Sequence, residues 1–570
     1  MSPSSQAPIY VGYTVSHNCS VAALDETGRV LAAVSEERFS RKKLHAGYPW
    51  LAMHYLLQHY GHRPWVVSCA RLDTMRRALR TLHFQWQSMM HGRKATPLAP
   101  FLSKLKFQLT QETRPNGHGA GLVKPEVQSF IDHHACHAAS AYYHGGHADA
   151  YVVTLDGVGN YYSCTISEGR EGKLTRLAAY YHNDITIGND YEVITGMLGF
   201  DPLRHPGKIT GLAAYGRHNG ACIDAIDAFL RGNWNGREEC YYLRYLEAPD
   251  PARKQVGLDL LRAERRTRFK EFSNEDIAFA IQYLTEEKTR ALLCKHIPHP
   301  AGKNIALAGG VFANVKLNQR IHEMGFATVF VQPAMDDGGL ALGAPLHLLG
   351  AQGTMRPYAV PTMLLGPAYD NDRVRTALRE AGLASEEHDA IEEKIAALIA
   401  DKKVVARYHG AMEFGPRALG NRSILYQATD KSVNDWLNKR LGRTEFMPFA
   451  PVTLWEEADR CYQHLDGVRH TAKFMTMTVN CTDYAHRAMP AVVHVDGTAR
   501  PQLITAEDNP SYYGILKAYH RLTGIPTLVN TSFNMHEEPI VESPEDAIRA
   551  FRLGRLDCLA INNFLVYHKD

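Results

Sequence analysis

The stretch "IDHHACHAASAYYH", starting at Ile131, puts His133, His134 and His137 within five residues. On a helix, His133 and His137 stand four positions apart and share a face, so both imidazoles can reach one metal ion. With 29 histidines in the chain, such a pair arises about once by chance, and spacing alone carries little weight. Context adds to it. Asp156 closes an apolar strand in "VVTLDGVGN", ahead of Gly157 and Gly159. Asp336 and Asp337 fall in a similar turn in "QPAMDDGGLALG". Two imidazoles with one or two carboxylates and open positions suit Fe(II), Mn(II) or Zn(II). The competing reading is a set of solvated turn residues.

A second group of residues suits phosphate. Gly309 and Gly310 in "LAGGVFANVKLN" stand between a strand and a helix, where backbone amides can approach a nucleotide. Lys208 in "HPGKITGLAAYG" sits among glycines and could reach a phosphate, or lie on the surface. "EFGPRALGNRS" holds Arg417 and Arg422 around two glycines, a composition that suits bidentate anion binding. "NKRLGRTEFMPFAP" adds Lys439, Arg440 and Arg443; "VVHVDGTARPQ" adds His494, Asp496 and Arg500; "LVNTSFN" adds Asn530, Ser532 and Asn534. A solvated basic face would explain these charges, but not the glycines or the Asn-Ser loop.

The elements that must position these residues are of α/β type. "IYVGYTVSHNCSVAALDETGRVLAAVSEERFS" reads as three strands separated by the turns "SHN" and "DETG". The pattern returns in "YVVTLDGVGNYYSCTISEGREGKLTRLAAYY", which suggests a duplicated lobe. "PWLAMHYLLQHYG" has helical spacing, and residues 217–300 are charge-rich and mostly helical. "NIALAGG", "VFANVKLNQRIHEMG" and "TVFVQP" follow as strand, helix and strand, the signature of a parallel sheet. A Gly- and Pro-rich stretch, "GAQGTMRPYAVPTMLLGPAYDND", marks a linker, with a domain boundary near residue 360. Beyond it, "IEEKIAALIADK" reads as an amphipathic helix, "VVARYHG" as a strand and "DCLAINNFLVYHK" as a closing strand pair.

Bulk properties exclude several classes. A chain of 570 residues needs more than one core. Its net charge of +3 shows no nucleic-acid or membrane partner. No apolar run approaches the ~20 residues that span a bilayer, and the N-terminus lacks a signal-peptide pattern. The ten cysteines form no C-x-x-C pair, which fits free thiols in a reducing cytoplasm.

The motifs "SEERFSRKK", "HHACHAASAYY", "LDGVGN", "GKITGLAAYG", "LAGGVFAN", "FGPRALGNRS", "PFAP", "VVHVDGTARPQ" and "VNTSFN" occur in that order along nearly the whole chain. As a set they resemble the O-carbamoyltransferases of antibiotic and nodulation-factor biosynthesis, enzymes of secondary metabolism. The resemblance implies an actin/hexokinase-like N-terminal domain of duplicated ribonuclease-H type over residues 1–359. It implies a YrdC-like carbamoyl-adenylate synthase domain over residues 360–570. Carbamoyl phosphate and ATP, with Mg, would give carbamoyl-adenylate in the second domain. The first would pass the carbamoyl group to a hydroxyl of a small-molecule acceptor.

Carried over residue by residue, the resemblance makes His133, His137, Asp156 and Asp337 ligands of a divalent metal, Fe(II) in this family, and leaves His134 out. His17 would stand near the transferred group. Lys208, Gly309, Gly310 and Asn314 would hold the adenylate. Arg417, Arg422, Arg443, Asn530 and Ser532 would hold the phosphates of the co-substrates. Two positions depart from the family pattern: Asn18 stands where many relatives have Asp, and Met447 stands where they have Arg before "PFAP", with Arg443 offering a replacement charge. The rival readings are a tRNA threonylcarbamoyl transferase and an ATP-binding, sugar-kinase-like protein. A small-molecule partner, no nucleic acid, no membrane and a homo-oligomer complete the expectations.

Overall fold

The computed structural model describes residues 7–71, 125–234, 242, 251–442 and 448–568. Arg443 and Met447 therefore lie outside the described residues.

Two sheets repeat one plan. In the first, β1 (Ile9–Tyr13), β2 (Ser20–Leu24) and β3 (Val30–Ser35) form an antiparallel meander. β4 (Trp65–Cys69) and β5 (Ser129–Phe130) then add in parallel on the other side of β1. The second sheet does the same with β6 (Ala150–Gly159), β7 (Tyr162–Arg170) and β8 (Lys173–Tyr181), followed by β9 (Asn304–Ala308) and β10 (Thr328–Val331). Each has its third, second, first, fourth and fifth strands side by side, the ribonuclease-H-type order expected of the duplicated lobe. The helix His133–His144 lies between the two sheets and packs on the helix Leu340–Ala351. The small side chains of Ala138, Ala139 and Ala141 are buried in that contact layer and let the helices come close.

The remaining chain builds an eight-stranded mixed sheet. Its strands are β11 (Glu386–Glu387), β12 (Val405–Tyr408), β13 (Arg422–Gln427), β14 (Ala450–Leu454), β17 (Gln502–Ile504), β18 (Thr527–Ser532), β19 (Cys558–Ile561) and β20 (Phe564–Tyr567). Between β14 and β17, β15 (Val479–Asn480) and β16 (Thr498–Ala499) pair separately. The closing strand pair read in "DCLAINNFLVYHK" is β19 and β20. One apolar core runs from Val153, Leu155 and Leu307 of the second sheet to Ala406, Val529 and Leu559 of the third. Thr471 Oγ1 donates to the Val329 carbonyl at 2.6 Å and Asn318 Nδ2 donates to that of Thr476 at 2.6 Å. The lobes are therefore fused along a buried face, which holds their pockets in fixed register.

Two local expectations change. "VFANVKLNQRIHEMG" is a short 3-10 turn, Gly310–Ala313, followed by a separate helix, Val315–His322. Asn314 causes the break: its side chain accepts from Leu317 N and caps the second helix. Lys208 stands in a helix, Pro206–Ala213, rather than a loop, because Pro206 presets the first helical φ.

Candidate functional site: a histidine–aspartate cluster and a cavity between the lobes

The His133–His144 helix starts under the Asp132 side chain, which accepts from Ala135 N at 3.1 Å. His133 is also fixed by its backbone N–H, which donates to Asn160 Oδ1 at 2.9 Å. Gly159 lies flat against the imidazole; a Cβ there would sit 2.1 Å from His133 Cδ2. One helical turn on, His137 is fully buried and turned to the same side.

Both rings meet Asp156, at the end of β6. Its Oδ2 is 3.3 Å from His133 Nε2 and 3.3 Å from His137 Nε2. Asp337 Oδ1 lies 3.7 Å from His133 Nε2 and 3.9 Å from His137 Nε2. One ligand atom from each of the four residues falls within 4.8 Å of all the others. Buried His137 has no hydrogen-bond partner at Nδ1, and its Nε2 faces the Asp156 and Asp337 carboxylates without hydrogen-bond alignment. A buried ring nitrogen aimed at two carboxylates without a well-aligned hydrogen bond is better satisfied by coordination, so these donors fit a divalent ion. Burial pulls the His133 imidazole down, but Asp337 and Asp156 outweigh it and raise it to about 9. Burial pushes Asp156 up, yet His133 and His137 hold its carboxyl well below the usual range. The pocket thus stores paired charge that a cation can replace.

The neighbouring residues sort themselves by contact. His134 turns away, with Nδ1 2.7 Å from Thr154 Oγ1 and Nε2 3.0 Å from the Tyr162 carbonyl. Asp336 accepts from Asn18 Nδ2 at 2.9 Å and from Gly338 N at 3.0 Å. His17 is half-exposed at the rim, its Nδ1 3.8 Å from Asp337 Oδ2. Gly309 has φ 110°, and a Cβ on it would lie 2.3 Å from the Leu155 carbonyl oxygen. A Cβ on Gly310 would lie 3.1 Å from Asp156 Oδ1, so this turn abuts the cluster. Asn314 Nδ2 donates to Gln282 Oε1 at 2.8 Å and its Oδ1 caps a helix, so both ends of the amide expected on an adenylate already have protein partners.

The arginine region forms a cavity of about 320 Å³ at the junction of the lobes. Lys43, Arg204, His205 and Lys208 enter it from the N-terminal side; Arg417, Arg500, Asn530 and Ser532 enter from the other. Lys208, expected with the adenylate beside the glycine turn, therefore shares a cavity with Arg417. Glu413, which the sequence did not single out, shapes the Arg417 loop. Its buried Oε1 accepts from the backbone N–H groups of Leu419, Asn421 and Arg422 at 2.9, 2.8 and 3.0 Å. Gln502 Nε2 donates to the Leu419 carbonyl and Arg407 NH1 to that of Gly420. The loop is thus pinned from behind, with Arg417 on the cavity side.

Arg422 is a correction. Expected to hold phosphate, it is fully buried. NH1 donates to the carbonyls of His409 at 2.8 Å and Gly410 at 3.2 Å, and the guanidinium lies 3.7 Å from the Tyr408 ring centre. It satisfies backbone acceptors inside the lobe and does not line the cavity.

Comparison with known proteins gives a consistent picture. The family models described as Carbamoyltransferase N-terminus and Carbamoyltransferase C-terminus match residues 105–346 and 396–568. The chain is 32% identical to nodulation protein NolNO of Sinorhizobium fredii over 554 residues, covering 96% of this chain and 78% of that one. It is 29% identical over 565 residues to an uncharacterised Methanocaldococcus jannaschii protein, covering 98% and 99% of the two. Among solved structures, full-length HypF in its phosphate- and nucleotide-bound form aligns at 13% identity and a TM-score of 0.30, over 60% of this chain and 56% of that one. Among the described residues, no helix is long and apolar enough to cross a membrane.

Proposed function

The chain belongs to the carbamoyltransferase family, and on that premise we propose that it is an ATP-dependent O-carbamoyltransferase acting on a hydroxyl of a small-molecule natural product. In this reading the C-terminal, YrdC-like lobe beyond residue 359 makes carbamoyl-adenylate. Water first splits carbamoyl phosphate into carbamate and phosphate. A carbamate oxygen then attacks the α-phosphorus of Mg-bound ATP, and pyrophosphate leaves. Arg417, Asn530 and Ser532 orient the phosphates and offset their charge. Because free carbamate decomposes in water, a short path between two sites in fused lobes favours transfer over loss.

In the N-terminal lobe, His133, His137, Asp156 and Asp337 hold a divalent metal, Fe(II) in the reading taken from the family. When bound, the metal supplies Lewis-acid polarisation of an acyl or phosphoryl oxygen. His17, at the rim of the cluster, accepts the proton of the acceptor hydroxyl as its oxygen attacks the carbamoyl carbon. The bond from that carbon to the adenylate oxygen breaks, and AMP leaves. The observation that carries the reading is the convergence of two imidazoles and two carboxylates beneath His17 in a carbamoyltransferase chain.

The test is mass spectrometry of candidate hydroxyl acceptors incubated with enzyme, ATP and carbamoyl phosphate. The expected product carries one added carbamoyl group, and its formation depends on both co-substrates. An enzyme that releases no pyrophosphate from ATP when given carbamoyl phosphate would refute the adenylate route.

A further inference from the structure

Among the described residues, the cavity between the lobes carries one acid in its lining, Glu537, against Lys43, Arg204, Lys208, Arg417 and Arg500. Glu537 belongs to the loop after β18, yet its carboxylate faces the N-terminal lobe. Oε1 accepts from His205 Nε2 at 2.8 Å, and Oε2 accepts from Arg204 NH1 at 3.1 Å. The imidazole is set for this: His205 Nδ1 accepts from Asp201 N at 3.1 Å, so Nε2 carries the proton in the neutral ring as well. Glu537 also holds a φ of 59°, a left-handed conformation that disfavours a side chain with a Cβ. Arg41, also from the N-terminal lobe, grips the same loop through the Pro539 and Ile540 carbonyls, each at 2.7 Å. The loop is thus drawn across the junction, with its carboxylate placed among cations that face the phosphate site.

We propose that this cavity is a phosphate site built by both lobes, with Lys43 and Lys208 completing the set begun by Arg417 and Arg500, and that Glu537 is its internal counter-anion. An incoming phosphate takes Arg204 and His205 from Glu537. This rests on the reading that phosphorylated co-substrates enter here, and it makes the N-terminal lobe a participant in adenylation. Five cationic side chains lining one cavity suit an anion of more than one charge. Burial pushes the Glu537 carboxyl up, but His205 and Lys43 hold it down at about 2, so it stays anionic at any working pH. A phosphate with two or more charges wins the exchange because each guanidinium or ammonium contact to it is charge-assisted.

Inorganic pyrophosphate is the probe, titrated into the full chain by calorimetry. Glu537→Gln keeps an acceptor for His205 but removes the competing charge, so pyrophosphate binds several-fold tighter. Lys43→Ala weakens binding about tenfold, the loss of one charge-assisted contact, and Lys43→Arg restores it. Arg204→Gln keeps the His205 and Arg41 contacts to the Glu537 loop but strips the carboxylate of one neutralising partner, so pyrophosphate binds more weakly. Melting temperatures of all four variants are taken alongside; if Glu537→Gln does not fold, Arg204→Gln decides. Wild-type affinity in Glu537→Gln, Lys43→Ala and Arg204→Gln would overturn the shared site while leaving C-terminal phosphate binding intact. A wild-type protein that binds neither pyrophosphate nor ATP would instead refute the underlying reading.

Discussion

His133 and His137 direct their Nε2 atoms at the same oxygen, Asp156 Oδ2, each from 3.3 Å. The two rings converge because one helical turn separates them and because the strand carrying Asp156 ends opposite that helix face. The arrangement is four donors around a point, and the first prediction follows from it. The purified protein should contain about one equivalent of divalent metal, and chelation should lower its melting temperature. His137→Ala should abolish both the metal and the chelator effect. Equal metal content in wild type and variant, measured by elemental mass spectrometry, would remove the cluster from the mechanism.

His17 touches the cluster only at its rim, so its loss should separate the two chemical stages. His17→Ala should retain carbamoyl-phosphate-dependent release of pyrophosphate from ATP and lose carbamoyl transfer by about 10²-fold or more. Metal content should be unchanged. Loss of pyrophosphate release as well would place His17 outside the transfer step.

Arg417, in the loop before β13, and Arg422, the first residue of that strand, stand five residues apart but should fail differently. Arg422→Ala leaves the partly buried carbonyls of His409 and Gly410 without this donor and empties a fully buried site, and should destabilise the protein by about 3 kcal/mol. Arg417→Ala should leave the melting temperature within a few degrees of wild type and abolish pyrophosphate release. Denaturation curves and a pyrophosphate assay on both variants check this; a reversed pattern would mean that the phosphate site is placed on the wrong arginine.

The imidazole of His144 is fully buried beneath Tyr358, with Nδ1 3.1 Å from Gln332 Nε2. Burial lowers it from 6.5 to about 3. Between those values the unfolded chain binds a proton that the native protein does not, so stability is full above pH 6.5 and falls as pH drops toward 3. His144→Gln removes that proton. Its stability deficit at pH 7 should shrink by about 1.4 kcal/mol for each pH unit below 6.5. Urea denaturation at pH 7, 6 and 5 reads the difference, and parallel curves would show that His144 does not titrate on unfolding.

What the sequence determined is what short-range geometry determines. A four-residue spacing on a helix places His133 and His137 on one face whatever surrounds them. Three strands with polar turns fold as a meander twice, and an Asp before glycines falls at a strand end. Tertiary structure decided the rest, because side chains of one type differ only in what lies against them. Arg417 and Arg422 stand five residues apart, yet one lies in a loop that lines the cavity and the other opens β13 with its guanidinium over the Tyr408 ring in the core. Lys208 and Arg417 share a cavity because a common apolar core fuses the lobes. Glu537 meets His205 across 332 residues of chain. Periodicity and local spacing carry no record of contacts at that separation; only the packed chain brings those charges together.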